Sequence, residues 1–239
     1  MLTELTIIIL CYKSEDFAIK YLRKIQASLT NSSINNYEII LVGNYVDSVH
    51  DKTPEIIRKL AAQQVNVFAL TLKKPVNGWL GWDVRQAFNK ANGKYIAFID
   101  GDGQMPAYDI LRCFNRIKET NADISMTYRD TRGDGQYRKL LSFSYNLMMK
   151  ILFPEIKIRD INSKPKVIKR SLLENLDLRS NGWTIDAEII LQAYKRNASI
   201  EEIPTQFKGL TGGRKSFVGI KAVFEFLAFM LFKRFIGKD

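Results

Sequence analysis

The residues of this 239-residue chain best suited to chemistry are two aspartates one residue apart, in Asp100-Gly101-Asp102-Gly103-Gln104. They follow directly on Tyr95-Ile96-Ala97-Phe98-Ile99, an apolar run with the aromatic and β-branched composition of a buried strand. In a continuing strand the two side chains would face opposite ways, whereas a turn permitted by the glycines lets both carboxylates converge on one cation. Hard oxygen ligands of this kind suit Mg²⁺ or Mn²⁺, which would keep coordination positions open for substrate phosphates. A solvated strand-to-loop turn, where Asp and Gly are common, is the plainer alternative.

Other chemistries lack parts. His50 is the only histidine, too few for a histidine-rich zinc site or a Ser/His triad. Cys11 and Cys113 form no motif with each other and are expected as free buried thiols. The chemistry must then run on carboxylates, metal and basic side chains. The net charge of +11 calls for an anionic partner. Lys and Arg are dense in 129–139, 157–170 and 208–238, mixed with long apolar stretches, a mixture closer to a membrane-surface face than to a nucleic-acid groove. No nucleic acid is therefore expected as a partner. The opening segment lacks a basic leader and a cleavage site, which predicts a cytoplasmic location.

The elements that must position the acids alternate in kind. Apolar runs at 5–10, 37–42, 66–72 and 95–99 are separated by segments of helical period at 17–29, 54–63 and 84–91. This is the βαβ rhythm of a single α/β domain with a mostly parallel central sheet flanked by helices. Ligands bind such sheets beyond the carboxyl ends of the strands. The loops there are Cys11 to Glu15, Gly43 to Asp47 and Asp100 to Gln104. A helix is expected after Pro106, a strand at 124–128, and a charged, glycine-rich loop at 129–135. Tyr137 to Phe153 reads as a helix, either core or lipid-facing. Trp183 to Arg196 reads as another, whose early acids Asp186 and Glu188 suit the helix dipole without any functional role. Ile200 to Phe207 is expected as an edge strand because of Pro204. Phe217 to Ile236 is the most apolar segment, yet its charges break it up, and an interfacial amphipathic helix fits better than a spanning one. The division expected is a catalytic domain over 1–215 and a membrane-associating helix over 216–239.

In this order the elements resemble the family 2 glycosyltransferases, and among them the dolichyl- or polyprenyl-phosphate sugar synthases. The likeness covers nearly the whole chain: Thr6 to Glu15, Asn77-Gly78-Trp79-Leu80-Gly81 through Gly93, Asp100 to Pro106, Met126 to Arg129, Asp160 to Lys166, Trp183 to Glu188, and Thr211 to Ser216. The match at Asp100-Gly101-Asp102-Gly103-Gln104-Met105-Pro106, similar to the family's metal-binding acidic motif, is the most specific. The resemblance implies a GT-A-type nucleotide-sugar-binding domain and metal-dependent, inverting transfer of a sugar from a nucleotide diphosphate to a polyprenyl phosphate. The protein would then sit peripherally on the inner face of the membrane. Alternatives are a saccharide hydroxyl as acceptor, or a non-catalytic nucleotide- or lipid-binding protein on the same fold.

The resemblance also implies roles for single residues. Asp100, Asp102 and Gln104 would hold Mg²⁺ or Mn²⁺, and Asp102, Glu188 and Arg129 would be catalytic. Tyr12, Glu15, Asp47, Gly78 and Asp100 would contact the nucleotide sugar. Arg132, Arg138, Asn162, Ser163, Lys164, Arg214 and Lys215 would contact acceptor or phosphate. An acceptor phosphate is already anionic and needs no strong base; a sugar hydroxyl does, and Asp186 and Glu188 are the candidates, Glu188 preferred. Two departures stand out: Val42 to Ser48 keeps one displaced acid, Asp47, where the family commonly has a pair, and Lys13-Ser14-Glu15 replaces the usual asparagine-glutamate pairing. Sequence leaves the sugar, the base and the oligomeric state open.

Overall fold

The computed structural model describes residues 3–133, 136–209 and 220–235. Seven strands form one sheet: β1 (Leu5–Leu10), β2 (Tyr37–Val42), β3 (Val67–Leu70), β4 (Tyr95–Asp100), β5 (Ile124–Arg132), β6 (Lys166–Lys169) and β7 (Ile200–Phe207). Among the described residues eight helices accompany them: α1 (Asp16–Thr30), α2 (Thr53–Ala62), α3 (Leu80–Lys90), α4 (Asp109–Thr120), α5 (Gln136–Leu152), α6 (Arg170–Leu173), α7 (Ile185–Lys195) and α8 (Ile220–Phe235). The strand order is β3-β2-β1-β4-β6-β5-β7, and every pairing is parallel except those of β6, which runs antiparallel between β4 and β5.

The apolar runs become strands buried on both faces because successive side chains alternate between two helical layers. Ile8, Leu10, Ile96 and Phe98 face the layer of α3, α5, α7 and α8, whereas Ile7, Ile9, Ala97 and Ile99 face that of α1 and α4. At the amino ends of the strands, the buried Glu38 carboxylate accepts from Thr6 Oγ1 (2.6 Å) and the Asn92 amide (2.6 Å), and Thr6 Oγ1 accepts from the Gly93 amide (2.8 Å). Asn92-Gly93 thus fixes the entry into β4 rather than serving the ligand end. Cys11 and Cys113 are buried and not joined in a disulfide, as expected.

One expectation changes, and one pair of elements was not foreseen. The segment expected as a loop from Arg129 continues as β5 through Arg132, since β7 supplies partners as far as Phe207, across an irregularity between Arg129 and Thr131. The pair β6 and α6 is not visible in periodicity: β6 has four residues, two of them lysines, and lies inside the sheet only because Lys166 finds buried partners. β7 is an edge strand, consistent with Pro204.

Asp123, entering β5, accepts from the Ser199 amide and hydroxyl (2.9 Å each) and lies 3.4 Å from Lys169 Nζ. Burial pushes its carboxyl up, but the Ser199 hydrogen bonds and Lys169 hold it below the usual carboxylate range. A depressed native pKa gives stabilisation that is present above the unfolded value and lost as pH falls through the native one. The urea midpoint of the wild type should therefore exceed that of Asp123→Asn at neutral pH, the gap closing below about pH 4. A gap unchanged from neutral to acid pH would refute this.

Candidate active site at the carboxyl ends of the strands

Asp100 ends β4 beside Leu10 of β1, and the turn that follows is tied back by the Gly101 amide to Leu10 O (2.9 Å) and by Ser14 Oγ to Gly101 O (3.4 Å). Asp102 Oδ1 accepts the Gln104 amide at 2.9 Å. Gly103 has φ +74°, and a Cβ there would meet the Phe17 ring at 2.3 Å, so only glycine serves. Asp100 and Asp102 are half-buried. Two half-buried carboxylates in one turn fit a hard divalent ion that takes its remaining ligands from water and phosphate. Among the described residues no group of three or more His, Cys, Asp or Glu converges as a metal cluster. Gln104 is buried, and its side-chain Nε2 donates to Lys208 O (2.9 Å) while its backbone carbonyl accepts the Lys208 amide (2.8 Å). It ties the acidic turn to the end of β7.

Behind the turn lies a chain of buried charges. Lys164 Nζ is 2.9 Å from Asp186 Oδ2 and 3.5 Å from Asp100 Oδ2. Lys166 Nζ is 2.5 Å from Asp186 Oδ1 and donates to Ser163 O (2.7 Å). Burial alone would raise the Asp186 carboxyl, yet the two ammonium groups outweigh it and hold the group below the usual carboxylate range. Burial alone would likewise lower Lys164, but Asp100 and Asp186 raise it; Lys166, buried and beside Lys164, is lowered. Ser163 is buried against Thr127, Oγ to Oγ1 2.7 Å, and Asn162 is half-buried next to it.

Arg129 lies where β5 passes this cluster. It grips the Asp160 carboxylate with two prongs, Nε to Oδ2 at 2.5 Å and Nη2 to Oδ1 at 2.7 Å, and reaches Ser142 Oγ of α5 at 3.3 Å. A cavity of about 260 Å³ opens beside the pair, bounded also by Tyr128, Phe143, Lys150 and Arg159. Its lining mixes the cationic Arg129, Lys150 and Arg159 with the apolar Phe143 and Leu147.

The nucleotide candidates divide. Tyr12 is half-buried, with Lys74 Nζ 4.4 Å from its ring centroid; burial, then Asp51 and Asp83, push its hydroxyl up. Lys74 pairs with buried Asp83 of α3, which also accepts from Asn44 Nδ2 (2.8 Å). Asp83 is raised by burial, with Lys74 and Asn44 pulling it down. Asp51 accepts the Lys13 amide (3.1 Å), and Thr53, which Asp51 also binds, accepts the Glu15 amide (2.9 Å). Lys13 and Glu15 both have positive φ, 53° and 43°, so the loop is held in a conformation that L-residues avoid. Asp47 pairs with Lys73 at the surface, and Gly78 closes a turn onto Pro75 O (2.8 Å). Sequence reasoning missed Asp51, Lys74 and Asp83; the available signal was an acid between apolar Trp82 and Val84.

Glu188 is buried and accepts the amides of Arg179 (3.1 Å) and Ser180 (2.8 Å). The loop it holds runs on to Asn181 and Gly182, whose carbonyls accept the Trp79 and Gly81 amides at the start of α3 (2.9 Å each). Glu225 of α8 accepts the Trp183 amide at 2.9 Å, joining that helix to the same loop. Of the remaining phosphate candidates, the side chains of Arg132 and Arg138, and Arg214 and Lys215 entirely, lie outside the described residues.

Because Arg129 and Asp160 are both nearly buried, Arg129→Ala strands a carboxylate and should cost about 3–5 kcal/mol in urea denaturation. Arg129→Lys should recover only part of this, lacking the fork. A change within about 0.5 kcal/mol for the alanine variant would mean that the pair carries no fold stability.

The model of glycosyl transferase family 2 matches residues 6–177. Curated relatives include dolichyl-phosphate beta-glucosyltransferases of Trichomonas vaginalis, 24% identical over 83% of this chain and 62% of that one, and of Saccharomyces cerevisiae, 24% identical over 75% and 59%. The chain thus spans about 60% of the length of these relatives. A low-salt glycan biosynthesis hexosyltransferase of Haloferax volcanii is 27% identical over 67% of this chain and 38% of that one. Among solved structures, glucosyl-3-phosphoglycerate synthase from Mycobacterium tuberculosis, in complex with Mn²⁺, UDP-glucose and phosphoglyceric acid, superposes with a TM-score of 0.74 at 14% identity, covering 99% of this chain and 81% of that one. The same enzyme with Mg²⁺ and UDP gives 0.70 at 14% identity, covering 99% and 81%. At that identity the likeness speaks for the fold, which is the GT-A type. With the family model spanning most of the sheet and the acidic turn, this chain belongs to glycosyl transferase family 2.

Proposed function

We propose that this protein moves a hexosyl group, with inversion, from a nucleotide diphosphate sugar to a polyprenyl phosphate at a membrane surface. The observation that carries the choice of acceptor is that both candidate general bases are already engaged: Asp186 between two lysines, and Glu188 on two backbone amides. The two lysines hold the Asp186 carboxylate in its charged form, which makes it a poor proton acceptor, and the Glu188 carboxylate is occupied in holding its loop. An acceptor phosphate brings its own anionic oxygen and needs none. The dolichyl-phosphate relatives support the same reading.

Asp100 and Asp102 would hold a divalent ion, Mg²⁺ or Mn²⁺, which when bound offsets charge on the departing nucleoside diphosphate. The chain's own residues do the rest. Tyr12 and the loop pinned by Asp51 would receive the nucleoside, whose base this altered pocket leaves to be found. Lys164 and Arg129 place positive charge on the phosphate side. Lys150 and Arg159 of the cavity lining would meet the acceptor phosphate, and Phe143 and Leu147 would meet its chain. Glu188 serves as the anchor of the 179–182 loop, and would be a base only for a hydroxyl acceptor.

Attachment to the membrane would use the outer faces of α5 and α8. Leu140, Phe143, Leu147 and Ile151 are exposed along one side of α5, and Phe224, Leu231, Phe232 and Phe235 along α8, while Tyr145 and Phe226 join the helices at 4.6 Å between ring centroids. Exposed Lys150 and Arg234 border this patch. Among the described residues no helix is long and apolar enough to cross a membrane. The expected division into residues 1–215 and 216–239 is retained as part of this reading, with α8 also buried at Met230 against the domain core.

Release of nucleoside diphosphate from UDP-, GDP- and dTDP-sugars, with and without Mn²⁺ or Mg²⁺ and a polyprenyl phosphate, tests the reaction. Turnover should require both metal and lipid and fall at least about a hundredfold in Asp102→Asn. Lipid-independent release onto a saccharide would overturn the acceptor, and silence with every donor would overturn catalysis. Phe143→Glu with Phe235→Glu should abolish cosedimentation with anionic phospholipid vesicles while the fold, read by circular dichroism, is kept. Undiminished binding would remove the α5–α8 face from the proposal.

A further inference from the structure

Lys164 is an uncommon neighbour for a metal site, since its ammonium group stands within 3.5 Å of a carboxylate oxygen that the divalent ion would need. It is not a surface lysine that happens to reach inward. The side chain is 5% exposed, its nearer partner Asp186 is 2% exposed, and its own carbonyl is held by Thr127 Oγ1 at 2.8 Å. Lys166 takes the other Asp186 oxygen, so Asp186 has no oxygen left that would draw Lys164 further from Asp100. Asp100, Asp186, Lys164 and Lys166 form a set of two negative and two positive charges, to which Asp102 in the same turn adds one more negative charge. A divalent ion at Asp100 then meets the ammonium group of a side chain that is 5% exposed, and the two like charges repel at short range. The diphosphate of the donor brings the negative charge that lets both cations remain.

We propose that Lys164 is a resident cation of the donor site that competes with the divalent ion for Asp100 and so makes tight metal binding depend on the incoming diphosphate. This rests on the reading of Asp100 and Asp102 as metal ligands. Lys164 is a positioning residue in this account, acting through the carboxylate it shares. The protein would meet its metal chiefly together with the nucleotide, and the acidic turn would stay ordered by an internal charge when both are absent.

The test is a titration of the full chain with Mn²⁺ alone, read by the electron paramagnetic resonance signal of the free ion, with circular dichroism as a check on folding. Lys164→Gln keeps a hydrogen-bond donor for Asp186 and removes the charge; it should bind Mn²⁺ about tenfold more tightly than the wild type. Asp186→Asn leaves the ammonium with Asp100 as its remaining carboxylate and should weaken Mn²⁺ binding, the opposite direction, which general loosening of the fold would not produce in a pair. Addition of UDP should narrow the difference between wild type and Lys164→Gln. If Lys164→Gln fails to fold, the weakening in Asp186→Asn decides. Mn²⁺ bound by the wild type, lost in Asp102→Asn, yet held equally by both lysine-network variants would overturn the role of Lys164 alone. Absence of Mn²⁺ binding in every protein, with and without UDP, would overturn the metal reading and this inference together.

Discussion

The rest of the structure depends on the burial of two lysines, Lys164 and Lys166, against Asp186. Ammonium groups are removed from water at a cost of several kcal/mol each, and only well-placed carboxylates offset it. Asp186 does so from the first turn of α7, which fixes where that helix begins relative to β6. β6 in turn pairs with β4 through Phe98 and Lys166, two residues before the acidic turn. The position of Asp100 is therefore set from two directions, by the sheet beneath it and by the charge behind it.

The same economy runs around the crevice. Gln104 and Lys208 exchange hydrogen bonds, and Asp109 at the start of α4 binds both Arg112 and Thr205, so the turn after β4 is fastened to the far edge of the sheet. Arg129 and Asp160 fasten β5 to the segment that carries Asn162, Ser163 and Lys164. Glu188 and Glu225 hold the loop that packs on α3, where a Cβ at Gly81 would come within 2.4 Å of Ser180 O. Several acids and bases that look free in sequence are thus spent on each other or on backbone amides.

How far the sequence could be read follows from the kind of force involved. The first four strands and their helices were legible because burial on both faces leaves continuous apolar runs with glycine or polar stops. The extension of β5 to Arg132 was hidden, since a charged stretch becomes strand only when β7 supplies partners. β6 was hidden for the same reason, its lysines belonging to a buried charge set that no local pattern announces. Glu188 and Asp186 are two residues apart on one helix, and their different partners, amides for one and ammonium groups for the other, come from elements at other places in the chain. Asp47 was a ribose candidate by its position in the loop after β2, and its exposed pairing with Lys73 comes from a neighbouring segment that no local pattern announces.

By itself the sequence determined the alternating α/β order, the acidic turn at the end of β4 and the family to which the chain belongs, because these rest on local hydrophobic pattern and on residues adjacent in the chain. Tertiary structure alone decided which charged side chains are committed to partners inside the protein. The physical reason is that a buried charge is stable only with a partner, and here the partners lie far away in sequence: Asp100 with Lys164, Asn44 with Asp83, Trp183 with Glu225.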